Sequence, residues 1–177
     1  IGYFNGYSVY AISFEFLFHV FFAGVGFYKL SKTLKFETNF ALTAAIAYML
    51  SGFFIGNAQH LTYVTSACWL PFVLNFYFKL MEEKSYINCL KAAFFLFLMI
   101  TGGYPAITII LFYLLLTFFI IQVVKLYRAK LKSDLLPFIF RNFQFFLYSV
   151  IFSLVMLVSI YQVTPYLSRF GDFELIH

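Results

Sequence analysis

The chain has 177 residues, 63% hydrophobic and 11% charged, with 28 Phe, 14 Tyr and 1 Trp. A soluble domain is about a quarter charged, and one of this length has too little interior to hide so much apolar surface. A water-soluble enzyme, a nucleic-acid-binding module and a disordered chain are thereby excluded, and lipid is the solvent expected for most of the chain.

Six apolar stretches follow one another: 7–30, 39–55, 61–80, 87–101, 104–126 and 137–161. Crossing ~30 Å of hydrocarbon takes about 20 residues at 1.5 Å each, so the fourth is short and the second marginal. Lipid admits only closed helices or barrels, and long runs without alternation favour helices. The expectation is all-α: one polytopic integral membrane bundle of about six transmembrane helices. The chain begins at Ile1 and stops at His177 soon after an apolar run, and is expected to be a piece of something longer.

The first stretch carries Glu15 and, four residues later, His19, which share a helical face. Such a pair can share a proton as acid and base, or simply fix helix packing. After the second stretch, Gly56-Asn57-Ala58-Gln59-His60 gathers amides and an imidazole without charge. These groups suit hydrogen bonding to a neutral ligand such as a sugar, and they equally suit helix capping. In the third stretch, Trp69-Leu70-Pro71 predicts a bend, because Pro71 removes a main-chain bond. Cys68 and Cys89 lie on separate spans and are expected to be free and structural. Between the fourth and fifth stretches, Gly102-Gly103-Tyr104-Pro105 predicts a tight hairpin, the alternative being one long kinked helix. No metal-ligand spacing and no cofactor motif stands in the sequence. Beyond the sixth stretch come Gln162, Thr164, Pro165, Arg169, Asp172 and Glu174. Arg169 either binds a phosphate through its planar fork or pairs with Asp172 or Glu174.

Eleven of the 12 basic residues, Lys29 to Lys35, Lys79 to Lys91 and Lys125 to Arg141, fall at alternate connections. The connections around 52–60 and 102–105 carry none, and Arg169 stands alone opposite. This positive-inside bias sets the first span running outside to inside and the sixth ending outside.

The run Leu50 to His60, the Trp69-Leu70-Pro71 that follows and the Gly102-Gly103-Tyr104-Pro105 turn resemble the YfhO family of bacterial membrane proteins. His19, Gly24 and Gly26 ahead of Lys29 to Lys35, and Gln162, Pro165 and Arg169 behind, fit the same pattern, which covers most of residues 10–170. The resemblance implies a fold similar to the GT-C membrane glycosyltransferases. Such proteins take a sugar from a polyprenyl-phosphate carrier and pass it to a cell-envelope acceptor outside the bacterial cytoplasmic membrane. The partners implied are membrane lipid and that donor, with no nucleic acid and no cofactor. Asn57, Gln59, His60, Tyr104 and Arg169 become the candidate substrate-binding residues. In that fold the catalytic acid usually sits in the first long outer loop, which this chain is expected to lack, so no catalytic residue is assigned. The alternatives are a transporter with a cavity lined by Glu15 and His19, and a non-catalytic scaffold subunit.

Overall fold

The computed structural model describes residues 8–83 and 85–164. Among these the chain is all-α, with seven helices: α1 (Val9–Thr33), α2 (Thr38–Met49), α3 (Gly52–Gly56), α4 (Leu61–Glu82), α5 (Tyr86–Thr101), α6 (Pro105–Arg128) and α7 (Lys132–Val163). Val9–Thr33, Thr38–Gly56, Leu61–Glu82, Pro105–Arg128 and Ser133–Val163 are long and apolar enough to cross a membrane. The chain is thus a multi-pass membrane protein. The expected fourth span is the exception, since the 16 residues of α5 rise only ~24 Å, less than the hydrocarbon thickness.

Large apolar side chains such as Phe40, Leu136 and Val155 face outwards, while Ala23, Ala41, Ala45, Ala92 and Ala93 are buried between helices. That inversion suits lipid, where helices associate by close packing of small residues rather than by hiding oil from water. Helix α4 is the centre: 50% of its apolar stretch is buried, against at most 22% in the other four spans. It packs between α1 and α5; α2 lies against α1, and α7 against α5.

Polar side chains tie these helices at defined levels. Thr33 donates to Asn75 Oδ1 at 2.7 Å, joining the end of α1 to α4. Tyr77 donates to Asn142 Oδ1 at 2.9 Å, joining α4 to α7. Pro71 stands inside α4 as expected. Its missing N–H frees the carbonyl four residues back, on Ala67, and the Tyr48 hydroxyl of α2 donates to that carbonyl at 3.2 Å. A defect that lipid would penalise becomes an interhelical bond.

Two boundaries differ from expectation. The second stretch, expected unbroken over 39–55, is interrupted at Leu50 and Ser51, where Ser51 is extended (φ −63°, ψ 155°). Ser and Gly52 are weak helix formers, and the break turns Phe54 into the core, edge-on to Tyr48 at 5.3 Å. The sixth helix, expected from residue 137, begins at Lys132 with Pro137 inside it. There the proline frees only the carbonyl of exposed Ser133, which water can satisfy. The expected hairpin is present: α5 ends at Thr101, α6 opens on Pro105, and Gly103 takes φ 86° between them.

Candidate functional site

The turn Gly102–Tyr104 is pinned onto the first turns of α4. Thr65 donates to the Gly102 carbonyl at 3.2 Å, and the Tyr104 N–H donates to Ser66 Oγ at 3.1 Å. The approach leaves no room for a side chain at Gly102, since a Cβ there would lie 2.7 Å from the Ser66 main-chain nitrogen. Helix α1 borders the same region, along the Thr62–Thr65–Trp69 face of α4.

Between these elements lies a pocket of about 390 Å³, lined by Glu15 and His19 of α1, Thr62, Thr65 and Trp69 of α4, and Thr101 of α5, among others. It opens at the end of the bundle that carries no lysine or arginine on its turns. Glu15 and His19 share a face, as their spacing implied, but the bond between them is not carboxylate to imidazole. His19 Nδ1 lies 2.7 Å from the main-chain carbonyl of Glu15, one turn back along the helix. Glu15 and His19 both line the pocket, and the His19 ring meets Trp69 edge-on at 5.8 Å.

Trp69 opens a ladder of rings that runs on through Phe72, Phe95 and Phe76, with centroid spacings of 5.9, 4.7 and 5.5 Å. Gly26 of α1 lets Phe72 sit against the helix backbone, where a Cβ would be 2.6 Å from the ring. At the basic end, Lys29 stands over Phe72 and Lys79 and Lys91 over Phe76, each within 5.8 Å of a ring centroid. The ladder thus runs from the pocket's Trp69 to the level of these lysines.

Of the sequence-derived site residues, His60 and Tyr104 are brought together through Tyr63. The His60 ring stacks on Tyr63 at 5.0 Å, and Tyr63 stacks on Tyr104 at 3.9 Å. Asn57 serves as a cap, its amide donating to the Phe53 carbonyl at 2.8 Å. Gln59 is exposed beside it. Arg169, with Pro165, Asp172 and Glu174, lies outside the described residues. Among the described residues no group of three or more His, Cys, Asp or Glu could hold a metal ion. Cys68 and Cys89 are free and buried.

Sequence reasoning missed Thr62, Thr65 and Tyr63. For the threonines the signal was available, because 62 and 65 stand at helical spacing from Trp69 and share its face. It was hidden in the apolar run that marked the span.

A second cavity, of about 500 Å³, separates α6 from α5 and α7. Its lining is almost wholly apolar and includes Leu96, Leu111, Leu115, Phe145 and Ser153. Lining residues on α7 run from Asn142 to Leu157, a rise of ~22 Å, so the cleft is elongated along the helix axis.

Compared with known proteins, the chain matches no family model, no curated protein and no solved structure.

Proposed function

We propose that this chain is a YfhO-type, GT-C-like membrane protein of the bacterial cytoplasmic membrane. It handles a sugar carried on a polyprenyl phosphate, at the outer face, for transfer to a cell-envelope acceptor. The observation that carries the proposal is the polar-lined pocket at the lysine-poor end of the bundle. Its hydroxyls on Thr62, Thr65 and Thr101, the Glu15 carboxylate and the Trp69 ring are the groups that hold a hexose, which needs hydrogen bonds around its rim and an aromatic face for its C–H surface. The His60–Tyr63–Tyr104 stack stands on the adjoining turn. The apolar cleft beside α6 offers a path for the carrier's chain, and Arg169 is the cation proposed for its phosphate. Thr62, Thr65 and Trp69 extend the sequence-derived set of Asn57, Gln59, His60 and Tyr104.

Trp69 is the only tryptophan and lines the pocket, so its emission reports occupancy. In nanodiscs, polyprenyl-phosphate-linked hexose is expected to change Trp69 fluorescence saturably, and bare polyprenyl phosphate is not. Thr62→Val, at a residue whose hydroxyl is not part of the Thr65–Gly102 and Tyr104–Ser66 bonds that hold the hairpin, is expected to weaken binding several-fold, as loss of a hydroxyl partner does. No response to any glycosylated carrier, or an equal response to the bare one, defeats the proposal.

A further inference from the structure

The apolar part of α7 contains one cation, Arg141, and the fold buries it to 7% exposure. Helices α5 and α7 are in register there, with Cys89 Sγ 3.6 Å from the main-chain carbonyl of Arg141. Arg141 Nε has no hydrogen-bond partner, and neither does Oε1 of Gln144. Two of the three buried side-chain polar atoms left unpartnered among the described residues thus stand three positions apart, on one face of one helix. On the adjoining turn, Glu83 is engaged by buried Asn88 at 2.8 Å.

Cys89 is three residues into α5, so Arg141 stands level with the first turn of that helix, ~5 Å from its start. The 16 residues of α5 fall about 6 Å short of the ~30 Å hydrocarbon thickness, so that turn stands just inside the hydrocarbon, a depth that a leaning arginine and local thinning of the bilayer together bridge to the headgroups. Ser85, its N-cap, makes no side-chain bond to the helix. The first-turn N–H groups and the helix dipole therefore present partial positive charge there. Side chains on α7 lean toward its N-terminus, which carries the guanidinium back toward the same level.

A guanidinium enclosed in apolar surroundings without an anion is costly. A phosphate answers all of these groups together: it takes the planar fork of Arg141, the amide of Gln144 turned to donate, and the helix N-terminus. Leu136, Ile139, Phe140 and Phe143 are exposed on the flanks of the same stretch of α7, so the neighbouring medium is lipid.

We propose that Arg141 and Gln144, with the first turn of α5, bind the phosphate of an anionic lipid headgroup at the basic end of the bundle. This stands independently of the sugar pocket at the opposite end.

The test uses the full chain in nanodiscs of phosphatidylcholine alone or mixed with phosphatidylglycerol. Native mass spectrometry counts the lipid retained, and thermal unfolding follows stability. Phosphatidylglycerol is expected to be retained in preference and to raise the unfolding midpoint. Inorganic phosphate added to the phosphatidylcholine discs is expected to leave it unchanged. Arg141→Met is expected to cut retention roughly ten-fold, the loss typical of a charge-assisted contact, and Arg141→Lys to restore part of it. Lys91→Gln, which removes a cation that faces Phe76 instead, is expected to retain lipid like the wild type. Equal retention by Arg141→Met overturns the proposal, as does a shift with free phosphate equal to that with the lipid. If Arg141→Met does not fold, Gln144→Leu carries the same comparison with a several-fold loss expected. A wild-type protein with no preference between the two lipids overturns the proposal without any variant.

Discussion

Gly102→Ala separates packing from backbone conformation at the hairpin that builds the pocket. Gly102 has an ordinary right-handed conformation (φ −59°, ψ −20°), so alanine is conformationally welcome and helix propensity alone favours it by up to about 1 kcal/mol. The tertiary contact argues the other way. The added Cβ would lie 2.5 Å from Ser66 Oγ, 2.7 Å from its nitrogen and 2.9 Å from its Cα. Two of those atoms are main chain of α4, and Ser66 is fully buried, so the turn must lift. Overpacking of this kind costs ~1–3 kcal/mol. Lifting also loosens the Thr65–Gly102 and Tyr104–Ser66 bonds, each worth ~0.5–1.5 kcal/mol. The net loss is about 1–4 kcal/mol once propensity is deducted. Gly103→Ala is the internal comparison. Its φ of 86° costs an L-residue ~1–2 kcal/mol, yet its Cβ meets only Thr62 Cγ2, at 3.6 Å. Unfolding in denaturant, followed by Trp69 emission in discs of fixed lipid, is expected to rank wild type above both, and Gly102→Ala at or below Gly103→Ala. A Gly102→Ala protein as stable as the wild type would refute the close approach of hairpin to α4.

Other expectations follow from single contacts. Gly24→Ala should cost less than about 1 kcal/mol, because the added carbon meets chiefly the flexible Met49 side chain; a loss as large as that of Gly102→Ala would contradict this. Tyr48→Phe leaves the carbonyl freed by Pro71 without its partner and should lower stability by ~1–3 kcal/mol, read from the same unfolding curves. Cys68 and Cys89, both fully buried, should resist a maleimide in the folded protein and react after denaturation. That silence allows topology to be read from added cysteines. Lys35→Cys and Lys130→Cys should label from one side of a sealed vesicle and Gln59→Cys from the other, and labelling of all three from one side would undo the alternating arrangement.

Much of this molecule was written in composition and spacing. Apolar runs too long for a soluble core determined an all-α membrane bundle, and lysines at alternate turns predict the direction of each helix, because the cost of moving charge through hydrocarbon acts on every residue separately. The reversal at Gly102-Gly103-Tyr104-Pro105 and the proline inside α4 were legible for the same reason: main-chain chemistry is local. What lay beyond the sequence depends on partners distant along the chain. Glu15 and His19 could be placed on one face, but that the imidazole turns to its own helix's carbonyl, and that both residues line a pocket with Thr62, Thr65 and Thr101, depends on how α1 meets α4. Tyr63 joins His60 to Tyr104 only because the hairpin folds back onto α4. Arg141 reads in sequence as one more positive-inside residue; its burial against α5 follows from helix register, which many small side-chain contacts decide together and no single residue announces.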